Sequence, residues 1–386
     1  MILSGRSLKA RPINCVNGDC RFRRQFQFAI VDGKGLSFWY HNPIASMSRE
    51  PIISASQPNE PEDGKLRPTS LAEIVGQRDV MEQVHIVMEA ARKRRDVLGH
   101  FLFDGPPGLG KTTFACCIPR EMGVPIEILS GPSLKAPKDL IPSLTNLQDH
   151  QVLFIDEIHR IPKAVEEFLY SAMEDFRIDI VLGEGINGRT HSIPLRPFTL
   201  IGATTRAGML SGPLRDRFQN RYHLSFYSVE ELTEIVRRNA IKLCVETAPD
   251  AAREIASRSR STPRIANNRL RWIRDFAQSR ADGKITLAIT REALKMAEID
   301  ELGLDRLDRK YLDTLVRVCG GGPTGIETIA ATMNTSSDTL SDEIEPYLLR
   351  SELILRTPRG RVATAKSFAL LGVTYAARDE QPHLYL

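Results

Sequence analysis

No stretch of the 386-residue sequence approaches the about 18 consecutive apolar residues that a membrane helix needs. The N-terminus carries no compact apolar segment ending in a small-residue cleavage site, so no secretory signal is indicated. A protein without membrane contact, working in the cytoplasm, is expected. Cysteine is sparse: the six residues at 15, 20, 116, 117, 244 and 319 match neither a disulfide framework nor paired C-x-x-C zinc spacing. They read as reduced structural thiols, and no zinc site is expected at Cys15 and Cys20. Charge bias is weak too, because 52 basic against 48 acidic residues leave a net +4, too little to argue for a polyanionic partner. That argument has to rest on where the charges cluster. The remaining composition, 42% hydrophobic and 26% charged, is that of a globular chain with a sizeable core.

Residues 1–65 lack sustained periodicity and carry basic runs at Lys9-Ala10-Arg11 and Arg21-Phe22-Arg23-Arg24. They end in a polar, Pro-containing stretch from Gln57 to Gly64 that reads as a linker. A disordered, solvated extension is expected, with Met47 an alternative start. From Leu66 to Tyr227 apolar strands alternate with helical segments, the pattern of an α/β domain with a largely parallel sheet. Buried strands are expected at Phe101–Phe103, Ile126–Leu129, Val152–Ile155 and Phe198–Ile201, and helices at Lys111–Glu121 and around Val165–Met173. Phe176 to Leu195 alternates around Gly183-Glu184-Gly185 and Asn187-Gly188 as a β-hairpin does. Residues 228–300 read as a small helical domain. Within 301–386, three helix patterns precede a basic hairpin, Leu353–Arg356 with Arg361–Thr364, which suggests a winged-helix module that binds DNA.

Gly105-Pro106-Pro107-Gly108-Leu109-Gly110-Lys111-Thr112 matches the P-loop pattern and sits between a strand and a helix. Such a loop wraps phosphates with backbone N–H groups at a helix N-terminus, while Lys111 reaches the β- and γ-phosphates and Thr112 holds Mg²⁺. Val152-Leu153-Phe154-Ile155-Asp156-Glu157 ends an apolar strand in two carboxylates, Asp156 for the metal shell and Glu157 to polarise water. Gly202-Ala203-Thr204-Thr205-Arg206 closes another strand where a hydroxyl can sense the γ-phosphate. Pro213-Leu214-Arg215-Asp216-Arg217-Phe218 offers arginines to stabilise phosphoryl charge, and Thr262-Pro263-Arg264 offers a cation from the helical domain.

Taken in order, Leu66-Arg67-Pro68, the P-loop with Thr113, Asp156 to Arg160, Gly202 to Gly208, Pro213 to Phe218, Thr262 to Asn267 and Arg356 to Thr364 resemble the signature series of the RuvB family. These are AAA+ ATPases that drive branch migration of Holliday junctions, and the resemblance runs from about Leu66 to about Ala365. It implies a hexameric, helicase-type ring around duplex DNA at four-way junctions, partnered by RuvA and RuvC, acting in recombination and repair with ATP and Mg²⁺. Nucleotide contacts carry over to Leu66, Arg67, Gly108, Gly110, Lys111, Thr112, Thr113 and Tyr227, with Glu174, Asp175 and Phe176 also near the nucleotide. Thr205 and Arg264 become sensors, Arg217 acts on the neighbour's ATP, and the hairpin from about Ile178 to Leu195 docks on RuvA. Arg356, Arg359 and Arg361 lie on the DNA wing, where arginines follow phosphates without reading sequence. An alternative is a clamp-loader or initiator-like switch, in which ATP gates assembly rather than sustained movement.

Several positions depart from the family pattern. Pro119 falls inside the helix after the P-loop and is expected to kink or end it. Ser261 and Gln219 stand where glycine is usual, and Asn267-Asn268-Arg269 replaces Asn-Arg-Leu.

Overall fold

The computed structural model describes residues 62–182 and 189–375. The first 61 residues, with Cys15, Cys20, the basic runs and Met47, lie outside the described residues, as do the hairpin tip and the last eleven positions, 376–386. Helix α1 (Glu62–Leu66) reaches back into the segment read as linker, anchored by Leu66, which is buried. Helix α2 (Arg78–Arg94) follows, its Val80, Val84, Met88 and Ala91 forming one apolar stripe.

In chain order come β1 (Phe101–Asp104), α3 (Lys111–Met122), β2 (Ile126–Ser130), α4 (Pro137–Thr145), β3 (Val152–Asp156) and α5 (Lys163–Glu174). Then follow the antiparallel hairpin β4 (Arg177–Leu182) with β5 (Arg189–Pro194), β6 (Thr199–Thr204), α6 (Gly212–Asp216) and β7 (Asn220–His223). Five strands pair in parallel in the order β2-β3-β6-β1-β7. Side chains alternate between the two faces, as strand geometry requires. Phe101, Phe103, Phe154 and Ile201 enter one core with α2 and α3, whereas Leu102, Leu153, Ile155 and Leu200 enter another with α5.

Two of these expectations need correction, and β7 is a strand that the residue pattern does not show. The second strand is expected to be buried, yet β2 is a sheet edge, and Ile128 is 55% exposed where it borders an open cleft. β7 has no apolar run because it is the opposite edge and buries only Tyr222. Pro119 neither ends α3 nor shortens it: the helix runs to Met122 and closes on Gly123 in the left-handed conformation. Its ring lies in the last turn, where only one helical hydrogen bond is lost and the buried Cys117 and Ile118 hold the backbone.

Beyond Tyr227 the chain is helical: α7 (Val229–Lys242), α8 (Pro249–Ser257), α9 (Pro263–Arg280) and α10 (Leu287–Met296). A capping box starts α7, with Ser228 Oγ accepting from Glu231 N–H (3.1 Å) and Glu231 accepting from Ser228 N–H (2.8 Å). Leu232, Val236, Ile255, Leu270 and Ile273 continue the first core of the sheet. The C-terminal part comprises α11 (Arg306–Asp313), which runs into a π-helical turn, and α12 (Ile326–Met333). A helical run, α13 (Ser337–Thr339), a second π-helical turn and α14 (Glu345–Arg350), precedes the wing, β8 (Ile354–Thr357) with β9 (Gly360–Ala363), and α15 (Ala365–Leu370). Tyr311, Leu315, Ile329, Leu340 and Leu348 form its own core. Among the described residues no helix is long and apolar enough to cross a membrane, and Cys116, Cys117, Cys244 and Cys319 are free thiols.

Phe103 is fully buried and stacks with Phe114 (5.4 Å) and Tyr222 (5.7 Å) beneath the P-loop. Phe103→Ala is expected to destabilise the P-loop domain by about 3–5 kcal/mol, read as a lowered urea midpoint of its transition.

Candidate nucleotide site

Parallel register brings the chemistry together. β1 ends at Asp104 beside Thr204 of β6, and β3 ends at Asp156 beside Ser130 of β2, so the P-loop, the acidic pair and the threonines share one edge of the sheet. Gly110, at φ +105°, turns the loop into α3, whose first residue is Lys111. The Lys111 ammonium donates to the carbonyls of Gly105 (2.7 Å) and Pro106 (2.8 Å) and is only 8% exposed. Burial pulls its pKa down to about 8, with Asp156 opposing the shift.

Thr112 Oγ1 donates to Asp156 Oδ2 (3.1 Å), and Asp156 Oδ1 accepts from Glu157 N–H (2.9 Å). Among the described residues no three His, Cys, Asp or Glu side chains form a metal cage. One hydroxyl and one carboxylate suit Mg²⁺, which keeps waters and shares its remaining positions with substrate phosphates. Glu157 turns in the left-handed conformation (φ +50°), its carboxylate meeting Arg160 at 3.1 Å. That turn needs Gly131 close by, since a Cβ on Gly131 would lie 2.3 Å from Glu157 O. Thr204 and Thr205 both line the cleft, and Thr204, which is buried, bonds the His159 ring at 3.0 Å. Burial lowers the His159 pKa, which favours the neutral ring.

The helical lid closes the cleft from the other side. Arg264 N–H donates to Gly108 O (3.4 Å), and Tyr227 OH donates to Leu109 O (3.2 Å) from a buried position. The cleft encloses about 1020 Å³ and is lined by Leu66, Arg67, Gly108, Gly110, Lys111, Thr112, Thr113, Asp156, Glu157, Thr205, Tyr227 and Arg264. Of the expected nucleotide contacts, Glu174, Asp175, Phe176 and Arg217 are not among its lining residues. Arg217 pairs with Glu174 (2.9 Å), bonds Pro213 O (2.8 Å) and lies over the Tyr170 ring. Asp175 pairs with Arg177 (3.2 Å), and Phe176 packs edge-on against Phe198.

The wing arginines are not simply solvated. Arg356 and Arg361 face each other across the hairpin, and both guanidinium groups grip the fully buried Glu345, at 2.5–2.9 Å and 2.9–3.3 Å. Tyr311 OH donates to the same carboxylate (2.9 Å), so Glu345 is a satisfied buried charge. Arg359 stands exposed at the hairpin turn. A single glutamate inside a helix carries no sequence signal of this role. The departures also find places: Gln219 Oε1 accepts from His100 N–H (2.6 Å), and Asn239 donates to Asn267 (2.7 Å) while Asn268 lines the cleft. Ser261 adopts φ +56°, the conformation for which glycine is the relaxed choice.

Sheet order, P-loop, acidic pair and lid together define a P-loop ATPase of the AAA+ class. Residues 66–224 match the Holliday junction DNA helicase RuvB P-loop domain, 227–300 the RuvB AAA lid domain and 301–372 the RuvB C-terminal winged helix domain. The chain belongs to the RuvB family. It is 62% identical over 306 residues to the Holliday junction branch migration complex subunit RuvB of Rhodopirellula baltica, covering 79% of this chain and 84% of that one. The subunit of the same name from Mycobacterium tuberculosis is 50% identical over 84% of this chain and 94% of its own. The Thermotoga maritima RuvB Holliday junction branch migration motor superposes with a TM-score of 0.74 at 45% identity, covering 81% of this chain and all of that one (100%).

A Cβ on Gly108 would lie 2.7 Å from Thr262 Cγ2 and 2.9 Å from Arg264 Cβ, so Gly108→Ala is expected to push the lid from the loop. ATP affinity should fall at least about tenfold in titration calorimetry, the equivalent of 1.4 kcal/mol. Because Lys111 is held near pKa 8 when free and must be charged against phosphate, ATP binding should take up a fraction of a proton at pH 8.5 and almost none at pH 6.5. Affinity should weaken as pH rises through about 8, and calorimetry in buffers of different ionisation enthalpy checks both signs.

Proposed function

We propose that this chain is a motor subunit that hydrolyses ATP with Mg²⁺ to drive branch migration of four-way DNA junctions in recombination and repair. It works in the cytoplasm as a hexameric, helicase-type ring on duplex DNA, docked through the hairpin β4–β5 on RuvA, with RuvC a further partner. The observation that carries the reading is one chain that joins a fully furnished P-loop cleft to an arginine wing. Residues 1–65 are an extension outside the motor, and the working domains are 66–227, 228–300 and 301–386.

In this reading Leu66, Arg67 and Tyr227 hold the base, and the P-loop amides with Lys111, Thr112 and Thr113 hold the phosphates. Lys111 exchanges two backbone carbonyls for phosphate oxygens without moving far, since it already points into the loop. Thr112 and Asp156 supply the metal's protein ligands, which lets Mg²⁺ neutralise phosphate charge when bound. Glu157 orients and deprotonates the attacking water, and Thr205 and Arg264 report the γ-phosphate to the strand end and the lid. Arg217, outside its own chain's cleft and held by Glu174 and Tyr170, reaches the ATP of the next subunit, with Asp175 and Phe176 on the same flank. On the wing, Arg359 contacts phosphate directly, and Arg356 and Arg361 share their charge between Glu345 and DNA.

Hydrolysis and junction migration with RuvA, measured for mixtures of variants, test this arrangement. Lys111→Ala should abolish turnover, and Arg217→Ala should lower it roughly a thousandfold or more while ATP still binds. Arg217→Ala subunits mixed with wild type should also silence neighbouring wild-type sites. A mixture whose rate is simply the weighted sum of its parts would exclude action in trans.

A further inference from the structure

The helical run Ser337–Arg350 is strapped to the ATPase head at both ends. Near its start, Asp338 and Asp342 both bind one guanidinium: Arg206 Nη2 meets Asp338 Oδ1 at 2.9 Å and Arg206 Nε meets Asp342 Oδ1 at 2.8 Å. At its end, the Arg350 guanidinium lies 4.5 Å from the centre of the Phe226 ring. Both anchor points adjoin the cleft. Arg206 follows Thr205 directly, and its backbone N–H bonds Thr204 Oγ1 (3.0 Å), while Phe226 precedes Tyr227, which bonds the P-loop. Three residues after Asp342, the same run carries the buried Glu345 that grips Arg356 and Arg361 of the wing. One helical run, π-helical in its middle, therefore has the end of β6 beside Thr205 attached at one turn and the wing attached at the next.

We propose that Arg206 is a positioning residue that, through Asp338 and Asp342, makes the run Ser337–Arg350 a strut by which nucleotide state sets the pose of the wing. The proposal rests on the motor reading only for what the wing holds. Partly exposed ion pairs add little stability, with Arg206 28%, Asp342 32% and Asp338 74% exposed, so a bridge across domains here acts on relative position more than on folding. Coupling of this kind needs a continuous set of contacts that two sites can both bias, and the strut is one. For binding it is reciprocal, so DNA on the wing acts back on nucleotide affinity through the same contacts.

The test uses the full chain and the double variant Asp338→Asn/Asp342→Asn. Hydrogen exchange over residues 337–350 is read with and without a non-hydrolysable ATP analogue, alongside turnover with and without duplex DNA. Wild type should show nucleotide-dependent exchange across the run, and the variant should lose that response while keeping analogue affinity and DNA-free turnover. Stimulation of turnover by duplex, read at ATP concentrations below KM where affinity sets the rate, should drop about tenfold in the variant. The charge exchange Arg206→Glu/Asp342→Arg should restore both responses at least in part, an outcome that mere repair of folding would not give. If the variant misfolds, the exchange pair decides, and its failure to restore coupling overturns the proposal. A run that ignores nucleotide in wild type, or responds equally in the variant, also overturns it, even where junctions migrate. If exchange responds as expected but wild type never moves a junction, the motor reading fails and the strut stands.

Discussion

The parallel pairing of β1, β3 and β6 sets the geometry of the nucleotide cleft. Three neighbouring strands end at one edge, and each releases one kind of group there: a phosphate-binding loop, a carboxylate pair and a threonine pair. A slip of one residue in β3 would send Asp156 to the wrong face, because successive side chains point oppositely. The strands cannot slip cheaply, since Phe154 and Ile155 are each fully buried on opposite sides of the sheet. Packing on two faces thus fixes the distance between Thr112 and Asp156 before any ligand arrives.

Close approach of backbone to backbone supplies the second layer. Gly108 leaves room for Thr262 and Arg264, and Gly131 leaves room for the turn at Glu157. The lid consequently reads the loop at van der Waals range rather than through long side chains. Its own core is continuous with that of the sheet.

Much of this was legible in the residues. The P-loop, Asp156-Glu157 and the wing strings are local patterns whose chemistry demands a strand, a turn or a hairpin at that point, and the structure has each of them. Edges were harder to read: β7 offers only Tyr222 to the core, and β2 has the apolar composition of a buried strand while lying open at Ile128. Contacts distant in sequence were invisible, since nothing in Arg206, Glu345 or Asp338 announces a partner. Pro119 does not end α3, because its position in the last turn, rather than its presence in a helix, decides what it costs. Arg217, Glu174, Asp175 and Phe176 do not line the cleft of their own chain, and the Arg217–Glu174 ion pair that holds the first two together joins residues far apart in sequence.

In the proposed motor, hydrolysis and not binding alone moves the junction. The direct measurement follows a single four-way junction with RuvA and this chain, first in ATP and then in a non-hydrolysable analogue. Sustained, one-directional migration in ATP and an immobile junction in the analogue are the predicted result. Equal movement in both, or none in ATP while nucleotide is consumed, would contradict the account and leave an ATPase that gates assembly on DNA.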